Sequence, residues 1–397
     1  MIALLLSMAL ALDLDEARTQ AMAQAVGVLA AEAEADALRG DLREGRERLL
    51  PSLSGFAQAN TGAGLTPFGF ERPVRTLYAV GVEGRWSVIN PSAWVRITQA
   101  RRTATSAEAL LDWARLQARR DATVAYARAW SSVGEVDALK TAVEDATSLR
   151  DAIADLVNSG LRPTADLARA EAEAAAARAR VADATGRASA ACAELQGLIG
   201  AEVSGRCDLS EPAITAPASS SAAHPAMRAF QLSADASRAA HTAAGWSLAP
   251  TIDIDGQVAE YIVPDRAAGI GYQVIAGITV PILNGTGNYS ALSAARARQR
   301  QAEAQLEEQR RRIAIDTISA EARLNAARLS LDAAEQGARA AAEASDRAEA
   351  LYRAGREALI SVLDARRARD DARVAAALAR ADVIAAVAEV EAARGVF

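Results

Sequence analysis

Aromatic side chains are scarce, only 4% of the 397 residues, and lysine is nearly absent: Lys140 stands alone beside 43 arginines. So few large rings cannot fill a deep mixed core. The apolar half of the composition is mostly alanine, which suits long helices packed closely on other helices. The arginine skew reads as codon bias and carries no chemistry. A net charge of −6 leaves no electrostatic footprint for nucleic acid. Two cysteines and two histidines cannot build a four-ligand structural zinc site. No stretch approaches 18 continuous apolar residues, which excludes a membrane-crossing helix. A nucleotide loop, a metal cluster and a nucleophile in a catalytic setting are also missing, so the reading is of a protein with no cofactor that is not an enzyme.

What is present begins at the N-terminus. Ile2 to Leu12 is an uncharged apolar run followed by acids, and Ala9-Leu10-Ala11 fits the small-residue pattern of a signal cleavage site. Residues 1–11 are expected to be a signal peptide. Because no Lys or Arg precedes the run, the apolar face of a first helix and a misplaced start codon are the alternatives. Export to a Gram-negative envelope would leave a periplasmic protein or an outer-membrane β-barrel. No cysteine follows the expected cleavage point, which argues against a lipoprotein anchor.

The chain repeats itself. Gly160 and Gly200 are 40 residues apart, as are Gly355 and Gly395, and the two pairs are offset by 195. "LLPSLSGFAQA" (Leu49 to Ala59) matches "LAPTIDIDGQV" (Leu248 to Val258), and "WSVINPS" (Trp86 to Ser92) matches "VPILNGT" (Val280 to Thr286). Four landmarks in one order at nearly one offset mark a tandem duplication. The halves are 12–210 and 225–397, joined by a Pro/Ser/Ala-rich linker over 211–224.

Each half predicts the same elements. A first helix (about 13–48, about 225–245) leads to a proline and two strands (about 51–61 and 76–89, about 250–263 and 269–282). A very long helix follows (about 92–157, about 288–353), then a Gly-containing break and a shorter helix (about 164–200, about 359–394). At 1.5 Å per residue the long helices span about 100 Å each. The second has a seven-residue seam, Leu292, Leu306, Ile313, Ala320, Ala327, Ala334, Ala341 and Ala348, broken only by Gln299. Such a seam implies coiled-coil packing. The strands alternate. Tyr78, Val80, Val82, Trp86 and Val88 oppose Ala79, Gly81, Glu83, Arg85 and Ser87, while Ile252, Ile254, Val258 and Ile262 oppose Asp253, Asp255, Gln257 and Tyr261. A half-buried soluble sheet gives the same pattern. Four strands are too few to close a barrel, and three copies would supply twelve with a water-filled lumen.

With these features the chain resembles the TolC family of trimeric outer-membrane efflux channels. The resemblance covers nearly the whole mature chain. It rests on the duplication, the prolines of "LLPSLSG" and "LAPTIDI", the "VINP" and "PILNG" junctions, "LYRAGREALISVLDARR" and "LIG". It implies a mainly helical homotrimer: a twelve-stranded outer-membrane β-barrel, and helical hairpins forming a periplasmic α-barrel. The breaks at Gly160-Pro163 and Gly355 would then lie at the periplasmic tip. The family's "YxxG" is Tyr352 to Gly355, and its tyrosine usually bonds an acid placed like Asp151. The arginine two residues past the glycine is replaced by Glu357, with Arg356 adjacent. Of the two gate acids three apart, one is Asp364 and the other is replaced by Ser361. A ring of three Asp364 carboxylates would favour cations. Without the resemblance, Tyr352 reads as a packing residue at a helix end and Asp364 as a solvated or first-turn charge.

The resemblance implies a passive exit duct of a tripartite efflux or type I secretion system. Its partners would be a periplasmic adaptor, an inner-membrane pump and outer-membrane lipid. A periplasmic adaptor or coiled-coil scaffold is the alternative, although adaptors have one hairpin where this sequence has two. A cytoplasmic helical protein would require the signal and strand patterns to be accidental. Cys192 and Cys207, 15 residues apart, could pair in an oxidising periplasm or remain two unlinked thiols. His224-Pro225 reads as a helix start.

Overall fold

Four glycines set the ends of the long helices. In the computed structural model, which describes residues 11–65, 71–218, 223–262, 269–281 and 287–396, Gly160, Gly200, Gly355 and Gly395 all hold φ of 70–72°. Only glycine adopts this left-handed backbone without steric cost. In chain order the elements are α1 (Leu14–Gln24), α2 (Val26–Glu47), β1 (Ser52–Leu65), β2 (Glu71–Ile89), α3 (Pro91–Asn158), α4 (Thr164–Leu198), α5 (Pro225–Trp246), β3 (Thr251–Ile262), β4 (Gly269–Thr279), α6 (Gly287–Arg353) and α7 (Leu359–Arg394). After α3 the Leu161 N–H donates to Leu156 O at 2.8 Å, and after α6 the Arg356 N–H donates to Leu351 O at 2.9 Å. After α4 and α7, Ala201 donates to Gln196 O at 3.0 Å and Val396 to Glu391 O at 2.9 Å. This is the six-to-one bond of a Schellman motif in all four places. The repeated glycine spacing is therefore a repeated helix stop.

Three expectations change. The helix expected over 13–48 is two helices, because Ala25 takes an extended ψ of 133°. Its N–H finishes α1 on Ala21 O and its carbonyl starts α2 by accepting from Val28. With neither Gly nor Pro at position 25, the sequence carries no breaker there. The strands of the first half run longer than expected, to Leu65 and from Glu71, since a bulge between Gly62 and Gly64 absorbs the glycines without ending the pairing. A second bulge, between Ser87 and Ile89, brings Ile89 opposite Ile252, so the alternation read through Val88 stops at Ser87. The apolar run Met1 to Leu10, and the Leu283–Asn284 part of the second strand-to-helix junction, lie outside the described residues. At the first junction, Asn90 Oδ1 accepts from Ala93 N at 3.1 Å and Pro91 opens α3. This is a side-chain cap with proline where its missing N–H costs nothing.

The described residues fall into two compact units, one drawn from Met1–Glu32, Leu110–Pro225 and Arg310–Phe397, the other from Ala33–Ala109 and Ala226–Gln309. In the first, alanines let helices approach closely. Val136 and Leu139 of α3 pack on Ala184 and Ala188 of α4. Ala320 and Leu324 of α6 pack on Val383, Ala386, Val387 and Val390 of α7. Tyr126 is fully buried, with its hydroxyl 2.7 Å from Leu12 O and 2.8 Å from Ser210 O. Leu12 pairs with the start of the linker, donating to Asp208 O and accepting from Ser210 N. Cys192 and Cys207 form a disulfide at a Cα separation of 5.7 Å. Further along the linker, Glu211 meets Arg380 at 2.8 Å and Ala218 N–H donates to the buried Glu391 at 3.3 Å.

In the second unit the four strands form one antiparallel sheet in the order β1-β2-β3-β4. Pro51 and Pro250 precede β1 and β3, where no ladder bond is lost. Beside the sheet, α5 is tied to the start of α3, where Ser106 Oγ donates to Ala229 O at 2.9 Å and Arg102 to Asp235 O at 2.9 Å.

The four helix stops differ in surroundings. A Cβ at Gly160 would meet nothing within 4 Å, whereas one at Gly395 would lie 2.9 Å from the Cα of His224. Gly160→Ala is expected to cost about 1 kcal/mol, the left-handed penalty alone. Gly395→Ala is expected to cost about 3 kcal/mol, because backbone must move as well. Thermal unfolding of the two variants followed by the helical circular-dichroism signal checks the order.

Candidate pore site: the helix breaks and a two-faced sheet

Side chains from four helices meet beside the breaks, all within the first unit. Leu149 and Ile153 of α3, Leu167 and Ala170 of α4, Ala348 and Tyr352 of α6, and Leu359, Val362 and Leu363 of α7 form one apolar cluster. Tyr352 is 6% exposed. The Arg162 guanidinium lies 4.5 Å above its ring centroid and donates to Tyr352 O at 3.4 Å, a cation–π contact. The Tyr352 hydroxyl has no hydrogen-bond partner. Burial pushes its pKa above the ordinary 10, with Arg162 acting the other way, so the phenol stays protonated at neutral pH. A cleft of about 630 Å³ borders the ring, lined among others by Leu156, Leu161, Arg162 and Arg366.

The bond expected between Tyr352 and Asp151 does not form within the chain. Asp151 is exposed and accepts from its neighbour Arg150 at 2.9 Å. Two residues on, Ile153 takes the buried position, because a step of two in a helix moves to a different face. Ser361 Oγ donates to Glu357 Oε1 at 2.7 Å, so the two residues that depart from the family pattern bond each other. Arg356 and Asp364 are exposed. Pro163, with φ −72° and ψ 149°, leads extended chain into α4, and Gly160 and Gly355 are the left-handed stops already described.

Sequence reasoning missed three arginines on α7. Arg366 donates to Glu349 of α6 at 2.7 Å and to Asp145 O of α3 at 2.9 Å. Arg367 pairs with Glu173 of α4, which also accepts from Arg180 at 2.9 Å. Arg369, only 9% exposed, bonds Asp145 at 2.9 Å and Asp370 at 3.0 Å. Burial disfavours its charge, but the hydrogen bonds to Asp370 and Asp145 outweigh that and raise its pKa. Within four residues, α7 is thus tied to each of the other three helices. In the sequence "ARRARDDAR" looks like any solvated helix face, since periodicity cannot say which charges the packing will enclose.

In the second unit the sheet is two-faced. One face carries Leu53, Tyr78, Val80, Val82, Trp86, Val258, Ile262, Ile270, Tyr272, Val274 and Ile278, all exposed, with Glu260 the charged exception among the described side chains. The other is laid out in rows by the strand register: Ser87–Asp253–Gly277, Ser52–Arg85–Asp255–Ile275, Ser54–Glu83–Gln257–Gln273, Phe56–Gly81–Ala259–Gly271 and Gln58–Ala79–Tyr261–Gly269. Arg85 bonds Asp255 at 2.7 Å and Ser54 bonds Glu83 at 3.2 Å. The large apolar residues standing in water on one face mark a surface made for another environment. Among the described residues no helix is long and apolar enough to cross a membrane, and no group of His, Cys, Asp and Glu could hold a metal ion.

Two long helical hairpins, together with a small sheet that has one apolar and one polar face, are features of a chain that contributes strands to a membrane β-barrel. The family model for outer membrane efflux proteins matches residues 17–201 and again 217–396, one match for each half. The chain belongs to that family, whose members and structural relatives are outer-membrane channels and not enzymes. No curated protein matches it by sequence. Among solved structures it is similar to the CmeC outer membrane channel of Campylobacter jejuni (TM-score 0.84, 16% identity, covering 96% of this chain and 85% of that one). It is also similar to the outer membrane protein VceC of Vibrio cholerae (0.81, 17%, 97% and 96%). A third likeness is to the MtrE outer membrane channel of Neisseria gonorrhoeae in its open state (0.80, 21%, 96% and 89%).

Two outcomes are expected at the breaks. Arg369→Ala should destabilise the folded chain by about 3 kcal/mol, since it strands Asp370 and Asp145 without their cation. Arg367→Ala, at a half-exposed side chain, should cost about 1 kcal/mol or less. Denaturant unfolding of both variants tests the ranking. Tyr352→Phe should leave stability within about 0.5 kcal/mol of the parent, because the hydroxyl it removes makes no bond.

Proposed function

We propose that three copies of this chain form a channel-tunnel that serves as a passive exit duct. The observation that carries the reading is the sheet: four strands with unpaired outer edges on β1 and β4, one face apolar and one polar. A hydrocarbon layer tolerates no open edge, and four strands cannot close on themselves. Three copies supply twelve strands, with the apolar face to lipid and the polar face to a water-filled lumen.

In this reading the sheet sits in the outer membrane and the long helices cross the periplasm. The Cys192–Cys207 disulfide supports an oxidising compartment. The breaks lie at the periplasmic tip, where an adaptor and an inner-membrane pump of a tripartite efflux or type I secretion system engage. Asp364, exposed near the start of α7, becomes a ring of three carboxylates that favours cations. The Ser361–Glu357 bond stands where the family has an acid and an arginine, so closure here leans on the α7 arginines and on Arg162 over Tyr352.

Detergent-extracted protein should run as a trimer of the 41.4 kDa chain by light scattering, and a stable monomer would overturn the reading. In planar bilayers Asp364→Ala should lower cation selectivity. An unchanged reversal potential would remove Asp364 from the gate.

A further inference from the structure

The polar face of the sheet is not polar throughout. In the described parts of the strands only two residues are buried, Ala79 at 0% and Ala259 at 2% exposure, and both lie on this face. Phe56 and Tyr261 share the same two rows and are half-buried. The Tyr261 ring lies over Gly271, where an added Cβ would come within 2.9 Å of ring carbon Cε2. At Gly81 a Cβ would fall 2.3 Å from Val258 O and 2.7 Å from the Cα of Ala259, so β2 and β3 lie too close there for any other residue. A ring lying across a cross-strand glycine is the known way of covering backbone a glycine leaves bare. Here Tyr261 covers Gly271 and Phe56 stands opposite Gly81 in the neighbouring row, so two aromatic residues share small-residue rows on the face a soluble reading would give to water.

Among the described side chains of this face, charge lies in the three rows to one side of the rings. Two residues along a strand is about 7 Å, so Glu83 is about one such step from Phe56, Asp255 two and Asp253 three. Among the described side chains of this face, one cation, Arg85, stands against these three carboxylates and is already spent on Asp255. Aromatic faces attract cations and repel anions, and the excess of carboxylate does the same at longer range. Both fields therefore select one kind of occupant, a charge-complementary one.

Resting on the trimeric-duct reading, we infer that Phe56 and Tyr261 form an aromatic collar in the lumen of the barrel. Together with Glu83, Asp253 and Asp255, the collar is a transit site for small organic cations that carry aromatic rings. Three copies place six rings around the lumen beside an acidic vestibule.

The test uses the intact protein in planar bilayers, with potassium current as the readout. Benzyltrimethylammonium at millimolar concentration is expected to reduce that current about fivefold more strongly than tetramethylammonium, which lacks the ring. Benzenesulfonate, which has the ring and the opposite charge, is expected to have no effect. In Phe56→Leu with Tyr261→Leu, both apolar and strand-compatible, the preference for the ring should vanish while potassium conductance and its cation selectivity persist. Asp253→Asn with Glu83→Gln should weaken block by both cations alike. Equal action of the two ammonium ions on the parent overturns the collar, as does undiminished ring preference in the double leucine variant. The absence of any potassium conductance in the parent tells against the duct itself, which separates the two failures.

Discussion

Two unpaired strand edges constrain everything else. β1 and β4 each leave a row of backbone donors and acceptors without partners inside the chain, and each unsatisfied group away from water costs several kcal/mol. A chain of an outer-membrane channel family therefore cannot be complete by itself in that environment. The proposed closure of three sheets into one barrel satisfies the edges and sorts the faces in one step. Leu53, Tyr78, Val274 and Ile278 leave water, while Asp253, Asp255 and Glu83 keep it.

The helical part answers a different demand. In its hairpins alanine recurs opposite larger apolar side chains, with few aromatic anchors beyond Tyr126 and Tyr352. Fixed stops supplement these cores. Four left-handed glycines hold helix ends at equivalent points of the two halves. At the other end of the first hairpin the disulfide, Tyr126 and the short pairing of Leu12 with residues 208–210 fasten the linker. At the breaks, charge does what large side chains do elsewhere: Arg366, Arg367 and Arg369 reach across to α3, α4 and α6. Buried ion pairs add little net stability but resist the loss of one partner strongly, so they fix how α7 sits against α3, α4 and α6.

Departures from the family pattern gain a physical sense from this arrangement. Losing the arginine at Glu357 and the acid at Ser361 leaves a short bond between the two replacements, from just before α7 to its first turn, where it ties no other helix. The bonds between helices come from Arg366, Arg367 and Arg369 further along α7, and Arg162 donates to Tyr352 O. Tyr352 keeps its place yet acts as a packed ring under a cation, not as a hydrogen-bond donor to Asp151.

The duplication, the two hairpins, the four strands and their alternating faces were legible because each follows from local chemistry. Glycine sets left-handed stops, an Asn-Pro pair starts a helix, and period-two text makes a two-faced strand. The break at Ala25, the bulge at Val88 and the longer strands were not, since no residue at the first two is a breaker, and pairing across strands carried β1 past Gly62 and Gly64, where the text suggested an end. Among the gate candidates, the sequence could name Tyr352, Asp151, Ser361, Glu357 and Asp364 but not their partners. Partner choice depends on how helices far apart in the chain are rotated against one another. That rotation put Ile153 rather than Asp151 beside Tyr352 and enclosed Arg369, while the register of β3 on β4 laid Tyr261 over Gly271. By itself the sequence determined the two hairpins, the four strands and the glycine stops of the long helices. Which side chains meet was decided only when packing fixed the faces, because a contact between distant segments has no signature in the local text of either.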